Sequence, residues 1–151
     1  MSTNPETTFT PTESHDLRCL AGMMIPASAE FGVPGADDAM IFTDITTTIG
    51  RDFGAVRQAL AELSATSGGA FTDLDEARRA VVMEAFLAKG RAAITTLGRV
   101  ILQCYYRDDR VVRSLGLEPR APFPKGHAIE QGDWSLLDPV RARPKMWRDA
   151  P

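Results

Sequence analysis

Residues 94–104 read Ile-Thr-Thr-Leu-Gly-Arg-Val-Ile-Leu-Gln-Cys, and this stretch decides the fold class. Its apolar residues recur at intervals of three and four, which places them on one face of an α-helix: Ile94, Leu97, Val100, Ile101 and Cys104. The stretch therefore predicts a long amphipathic helix that follows Lys89-Gly90.

Four further helices are predicted upstream of this stretch. The segment Thr10-Pro11-Thr12-Glu13 combines an N-cap threonine, a proline at the first helical position and a glutamate at the third, which is a capping box. The helix it opens has an apolar face and ends before Pro26, because the residue before a proline disfavours the helical conformation. That face is formed by Leu17, Leu20, Ala21 and Met24.

The next three helices begin at acidic residues and end near glycines. The second begins near Asp37 or Asp38, and its predicted inner stripe is Ala39, Phe42, Ile45 and Ile49. The third runs from about Asp52, with Phe53, Val56, Leu60 and Leu63 on its inner face. The fourth follows Asp73 and Glu76, with Val81, Val82, Ala85 and Phe86 facing inward.

No stretch alternates apolar and polar residues between turn signals as a sheet would. The predicted fold is therefore all-α, a compact bundle of about five helices followed by a long irregular C-terminal arm that contains proline, tryptophan and arginine. The predicted boundaries are a flexible N-terminal arm at 1–9, a helical domain at 10–116 and an extended docking arm at 117–151.

The composition excludes several classes of protein. The chain has 151 residues, 44% hydrophobic and 25% charged, and a net charge of −3, which argues against a nucleic-acid-binding protein. No apolar run reaches the ~20 residues that a membrane-spanning helix needs. Residues 1–90 carry 6 basic and 13 acidic side chains, whereas residues 91–151 carry 11 and 7. The C-terminal part is thus a candidate for meeting an acidic partner, or it is a mixed solvated surface.

The residues that could carry chemistry are few. The only histidines are His15, predicted to be exposed on the first helix, and His127 in a turn of the arm. Neither histidine is expected to act as a general base, and no spacing suggests a metal site, a nucleotide-binding loop or a nucleophile beside its base. Asp108-Asp109 is interpreted as a capped turn with local ion pairs. We therefore expect no catalytic, cofactor-binding or metal-binding residues on this chain.

Both cysteines lie in helical apolar patterns and are expected to be buried thiols, although the sequence leaves open a disulfide between them. They are Cys19 and Cys104.

The arm is the strongest functional signal. Six of the ten prolines lie after residue 116, which excludes a long helix there. The arm is nevertheless too apolar for a linker, so it packs either on its own domain or on another protein. Arginine and tryptophan are enriched at interface hot spots. The predicted partner-binding residues are Phe123, Trp134, Arg141, Arg143 and Trp147, the tryptophans filling pockets and the arginines pairing with carboxylates.

Two groups of short motifs resemble the gluconate 2-dehydrogenase subunit 3 family. The first group comprises Phe9-Thr10-Pro11, Met24-Ile25-Pro26 and Pro34-Gly35-Ala36. The second comprises Tyr105-Tyr106-Arg107-Asp108-Asp109, Leu115-Gly116, Pro122, Pro124-Lys125-Gly126 and Asp133-Trp134. Their order and spacing extend the resemblance over about residues 9–148.

The resemblance implies a helical accessory subunit of a complex that oxidises an alcohol or a sugar. In that family the small subunit accompanies a large FAD-dependent dehydrogenase of the glucose-methanol-choline type, often with a cytochrome c subunit as electron acceptor. FAD and the catalytic histidine would reside on the large subunit. The small subunit would stabilise that subunit, assist its maturation or export, and form part of a hetero-oligomer.

One feature departs from the family pattern. Family members commonly carry a twin-arginine export signal, and this chain has none before Thr10. The chain as it reads is cytoplasmic, or it is periplasmic through a signal-bearing partner or after removal of its own signal. Two other functions stay open: a stand-alone helical module that binds a small ligand, with Met23, Met24 and Cys104 as walls, and an escort that leaves the enzyme after cofactor loading.

Overall fold

A computed structural model describes residues 8–121, 123, 125–126, 130–144 and 146 of the protein. Within these residues the secondary structure is helical, and no β-strand is present apart from one isolated antiparallel bridge between Ser28 and Val33. The predicted all-α class is confirmed. None of these helices is long and apolar enough to cross a membrane.

The helices follow one another along the chain, with long connections between α1 and α2 and between α6 and α7. They are α1 (Pro11–Met24), α2 (Ala39–Thr48), α3 (Phe53–Ser67), α4 (Glu76–Ala88), α5 (Ala92–Tyr105), α6 (Asp109–Ser114) and α7 (Asp138–Arg141). Short 3-10 turns cover Gly50–Asp52, Phe71–Asp73 and Trp134–Leu137. The chain forms two compact units, one up to Pro119 and one from Arg120 onward.

The core of the first unit is built around α5. This helix packs against α2 and α3, and α3 in turn contacts α1 and α4. The predicted inner face of α5 is buried throughout, with Leu97 and Ile101 fully inaccessible to solvent. The predicted inner face of α3 is also confirmed. Together with α1, these helices form one apolar core, because each buries its apolar stripe against its neighbours.

The burial of α2 and α4 differs from the prediction. In α2 the buried face is centred on Ile41 and Ile45, whereas the predicted Ala39 is exposed. In α4 Phe86 is fully buried, but Val81 is 68% exposed and Ala85 is exposed as well. Apolar residues lie on both sides of α4, so periodicity alone does not identify its inner face.

Side-chain caps fix the starts of most helices. The predicted capping box of α1 is present, with the Thr10 hydroxyl accepting from Glu13 N and the Glu13 carboxylate accepting from Thr10 N. Asp38, Asp75 and Asp108 cap α2, α4 and α6 in the same way, each accepting a backbone N–H of the first turn. These caps satisfy amide groups that lack partners within the helix.

A buried carboxylate joins α1 to the segment after α3. Asp16 is only 4% exposed, and its Oδ1 accepts hydrogen bonds from both the backbone N–H and the hydroxyl of Thr72, each at 2.9 Å. Thr72 lies in the 3-10 turn that precedes α4. The Asp16 carboxylate therefore joins this turn to α1, in addition to the buried ring of Phe71 in the same turn.

The loop between α1 and α2 folds back on the end of α1. The N–H of Ala36 donates to the Ile25 carbonyl at 2.9 Å, and Ala36 is fully buried. Gly35 is packed so closely that a Cβ there would lie 2.4 Å from Asp37 Oδ1 and 3.0 Å from the Ala27 nitrogen. The Pro34-Gly35-Ala36 motif thus closes this loop, and the close approach requires glycine at its centre.

Candidate functional site

The predicted partner-binding residues that the structure describes lie in the second unit. Trp134 opens the 3-10 turn Trp134–Leu137, Arg141 is the last residue of α7, and Arg143 follows two residues later. Phe123 lies upstream of both elements. Trp147, the fifth predicted residue, lies outside the described residues, as does His127.

Local hydrogen bonds form these two short elements. Asp133 caps the 3-10 turn by accepting from the N–H of Ser135 at 3.0 Å and from its hydroxyl at 2.6 Å. These bonds lower the pKa of the Asp133 carboxyl. Pro139 occupies the first turn of α7, where its missing N–H costs nothing. The 3-10 turn and α7 are therefore stabilised by residues that are close to them in the sequence.

The predicted residues have different local partners. The indole N–H of Trp134 donates to Gln131 Oε1 at 3.0 Å, and Arg141 pairs with Asp138 at 3.1 Å. Arg143 has no ion pair within the part of the chain that the structure describes. Because the polar edge of Trp134 is already satisfied, the apolar body of its ring is available for packing.

Apolar side chains of the second unit are exposed. Phe123 is 87% exposed, Leu136 74% and Trp134 62%, and Leu137, Val140 and Met146 are exposed as well. No described residue of this unit is buried. Several large apolar side chains exposed in one short segment are a typical feature of segments that bind another macromolecule. Leu136, Val140 and Met146 were not predicted as binding residues, although their apolar character in a proline-rich segment was the available signal.

The first unit has a separate, polar feature. It is a cleft of about 560 Å³ between α2 and the α5–α6 corner, which we call the arginine cleft. Its lining is Met40, Ile41, Asp44, Cys104, Arg107, Asp108, Asp109, Arg110 and Arg113. Arg110 donates to Asp108, the cap of α6, at 2.9 Å, and to Asp38, the cap of α2, at 2.7 Å. One guanidinium therefore connects the starts of two helices that are far apart in the sequence.

Arg107 makes a separate network in the same cleft. It donates to the Asp44 carboxylate at 2.5 Å and to the Thr48 hydroxyl at 2.9 Å, and it approaches the Cys104 sulfur at 3.5 Å. The bond to Asp44 raises the pKa of Arg107. Burial raises the pKa of the Cys104 thiol, so Cys104 is a thiol rather than a reactive thiolate at neutral pH.

The electrostatics of the arginine cleft oppose general acid–base catalysis. Hydrogen bonds from Arg110 hold the pKa of both Asp38 and Asp108 below the usual range. A general acid at neutral pH needs a carboxyl whose pKa is raised instead. Asp109 pairs with Arg113 on the exposed surface. The interpretation of Asp108-Asp109 as a capped turn with local ion pairs is confirmed.

Replacing Arg110 by glutamine is expected to lower stability at neutral pH by about 1 kcal/mol, a value reduced for the partial exposure of the pair. In the folded state the pKa values of Asp38 and Asp108 are lowered. The stabilisation that these ionised carboxylates give to the folded state is therefore complete above the ordinary carboxyl pKa of ~3.9. It is lost as the pH falls through the lowered pKa values. The difference between variant and wild type should therefore shrink in acid, as measured by urea unfolding across pH.

Arg113→Gln is the matched control for this experiment. Its guanidinium pairs with Asp109, and both side chains are well exposed. We expect Arg113→Gln to lower the free energy of unfolding by less than about 0.5 kcal/mol. Equal losses for the two variants at neutral pH would contradict the role given to Arg110.

The cysteines and the described histidine have no arrangement for chemistry. Both cysteines are free thiols; Cys104 is buried as predicted, whereas Cys19 is only partly buried, with Arg79 Nη1 at 3.2 Å from its sulfur. His15 is exposed, as predicted. Among the described residues no three histidine, cysteine or acidic side chains are grouped to hold a metal ion. Met23 and Met24, proposed as ligand-site walls, pack against the core.

Another exposed apolar patch lies on the first unit. Phe31, Tyr106 and Leu115 are each more than half exposed and border a hollow of about 250 Å³ that Val33 and Val111 also line. Tyr105 packs edge-on against Tyr106, with ring centroids 5.3 Å apart. This patch was not predicted, because its residues come from three separate segments of the sequence. Tyr105-Tyr106 was recognised only as part of a motif.

No protein-family model matches the chain, and neither the curated proteins nor the solved structures include a significant match to it.

Proposed function

We propose that this chain is a non-catalytic small subunit of a flavin-dependent dehydrogenase complex that oxidises a sugar or an alcohol. It stabilises or matures a large glucose-methanol-choline-type subunit, which carries FAD and the catalytic residues. A cytochrome c subunit accepts the electrons where the complex has one. The proposal rests on the motif resemblance, and the structural observation that supports it is the exposed apolar surface of the C-terminal arm.

The exposed arm supports docking on energetic grounds. Each Å² of apolar surface removed from water contributes about 25 cal/mol. Phe123, Trp134 and Leu136 are each more than 60% exposed, so a partner surface would gain from covering them. Without a partner, these side chains stay in contact with water and the chain does not gain this free energy of burial. The proposed interface therefore uses the arm, with Trp134 as an anchor.

The charges of the arm suit a partner surface with carboxylates. Arg143 has no ion pair among the described residues, and the Arg141–Asp138 pair is exposed on both sides. An exposed pair of this kind is worth little, so Arg141 can exchange Asp138 for a partner carboxylate at small cost. Arginine in particular binds a carboxylate through two parallel hydrogen bonds.

The patch at Phe31, Tyr106 and Leu115 is a second surface that supports the proposal. It includes part of the Tyr105-Tyr106-Arg107 motif that carries the family resemblance. Arg107 and Arg110 in this region have structural partners, whereas the ring of Tyr106 is more than half exposed. An exposed tyrosine beside aliphatic groups is a frequent interface residue.

Co-purification tests this function. The chain is tagged and expressed together with its native gene neighbours, and the eluted material is analysed by mass and by flavin absorbance. We expect a stable complex with a yellow FAD-containing protein whose sequence identifies it as a dehydrogenase. Expression of that protein without this chain should lower its soluble yield or its flavin content.

The alternatives predict different outcomes of the same experiment. An escort would raise the flavin content of the large protein without remaining bound to it. A stand-alone ligand-binding module, with the arginine cleft as one candidate cavity, would elute as a colourless monomer and leave the yield of any flavoprotein unchanged. Either result would contradict a permanent subunit.

A further inference from the structure

The turn between Ser28 and Val33 presents an exposed phenylalanine. Ser28 and Val33 exchange both of their backbone N–H···O bonds, each at 3.0 Å. The N–H of Phe31 donates to the Ser28 hydroxyl at 3.3 Å, and Gly32 completes the turn at a φ of 62°. The ring of Phe31 is nevertheless 67% exposed. Because the backbone below this ring is already ordered, a partner that covers the ring loses little conformational freedom there.

Phe31 borders the hollow of about 250 Å³ that separates this turn from the α5–α6 corner. Tyr105 and Val111 are buried, so they form the floor of the hollow. The other described lining residues are Val33, Tyr106, Ser114 and Leu115. Three of these seven described residues are aromatic and none is charged, so the hollow suits a neutral, largely apolar group.

The hydroxyl of Tyr105 has no hydrogen bond among the described residues, although Tyr105 is only 5% exposed. The oxygen is not sealed in the core, so its open side faces the hollow that Tyr105 lines. Burial raises the pKa of Tyr105, which keeps the hydroxyl protonated at neutral pH. The proton of the Ser114 hydroxyl is already donated to the Val111 carbonyl at 2.7 Å. The floor of the hollow therefore offers a hydrogen-bond donor to a group that brings an acceptor.

We propose that this hollow binds a proline-containing segment of another protein in the extended polyproline II conformation. A pyrrolidine ring packs against Phe31 and Tyr106, and a backbone carbonyl of the segment accepts the hydrogen bond of the Tyr105 hydroxyl. The proposal concerns the chemistry of the segment. It does not depend on the dehydrogenase partner, because a synthetic peptide tests it on this chain alone.

The other common modes of peptide recognition fit this hollow less well. Addition of a strand needs an open sheet edge, whereas the bridge between Ser28 and Val33 is used within the turn itself. An amphipathic helix needs a groove several turns long, whereas this hollow is smaller than a site for a drug-sized ligand. Recognition of a phosphorylated or acidic motif needs arginine, and the described lining contains none.

Proline matches both the apolar wall and the donor. Its amide nitrogen carries no proton, so covering a proline leaves no N–H without an acceptor. An ordinary residue would bring an N–H, and no carboxylate or amide side chain is present among the described lining residues to accept it. The carbonyls of a polyproline II segment have no internal hydrogen bonds, and its extended shape is already formed before binding.

Titration of the full-length chain with acetylated hexaproline, followed by calorimetry, tests the site. We expect saturable binding of hexaproline and none of a hexapeptide of alternating glycine and serine. Phe31→Ala should weaken hexaproline binding at least tenfold, because it removes one aromatic wall. Met40→Ala is the matched control, since Met40 is similarly exposed, at 69%, but lies on α2 outside the hollow. We expect this control to bind hexaproline as the wild type does.

Tyr105→Phe tests the hydrogen bond separately from the packing. It keeps the ring, so helix content should be unchanged, and hexaproline binding should weaken about fivefold. Tyr106→Phe is its control: the ring of Tyr106 is 54% exposed, so loss of its hydroxyl should change binding less than twofold. Equal effects of the two tyrosine variants would overturn the proposal, as would a wild type that does not bind hexaproline. Unchanged binding to Phe31→Ala would assign the peptide to a different surface and would overturn it too.

Discussion

Alanine in place of Trp134 is expected to weaken binding of this chain to the proposed FAD-bearing partner about 30-fold, which corresponds to ~2 kcal/mol. An aromatic side chain covers roughly 200 Å² when buried, and Trp134 is 62% exposed in the chain alone. Removing about 120 Å² of that surface from water contributes roughly 3 kcal/mol. Ordering of the side chain offsets part of this gain.

The measurement is a titration of the purified partner with each variant. Helix content by circular dichroism should be unchanged, because the ring of Trp134 is exposed and its N–H bonds only to Gln131. Met40→Ala is the matched control: Met40 is 69% exposed but lies on α2, outside the arm. If Trp134→Ala binds as tightly as the wild type, or if Met40→Ala weakens binding equally, Trp134 is not an anchor.

The second large effect concerns folding. Asp16→Ala should lower the free energy of unfolding by about 2–3 kcal/mol, because it leaves the partly buried N–H of Thr72 without its acceptor and opens a void at the buried Asp16 position. For a chain of this size, that loss corresponds to a decrease in Tm of roughly 5–10 °C. Urea unfolding followed by circular dichroism measures it directly.

Two further variants separate the causes of this effect. Asp16→Asn keeps an oxygen that can accept both bonds from Thr72 and fills the same volume, so it should lose much less stability than alanine. Thr72→Val removes only the hydroxyl bond and retains the backbone N–H bond, with an expected loss of about 1 kcal/mol. Indistinguishable stability of Asp16→Ala and the wild type would mean that the pair does not hold the 3-10 turn.

The helices with one apolar stripe could be predicted from the sequence. In α5 and α3 the spacing of apolar residues leaves only one face that can be buried, and the structure buries that face. The capping box of α1 is equally local, since its two bonds join residues three apart. By contrast, α4 is apolar on both sides, so Val81 and Ala85 were wrongly assigned to the core.

The long-range polar contacts could not be predicted in this way. Asp16 and Thr72 are 56 residues apart, and Arg110 and Asp38 are 72 apart, so no local pattern relates them. The helix α6 was also not predicted, because six residues are too few to show a helical period. The exposure of the arm side chains depends on tertiary structure, whereas their apolar composition was visible in the sequence.

The most direct test of the account compares two versions of this chain in the co-purification with its gene neighbours. One is the full chain and the other ends at Pro119, which retains the bond from Leu117 N to the Val112 carbonyl that closes α6. We expect the full chain to elute with a yellow FAD-bearing dehydrogenase and the shortened chain, which keeps α1 to α6, to elute alone. Retention of the flavoprotein by the shortened chain would contradict docking through the arm, and a colourless monomer from the full chain would contradict the subunit function itself.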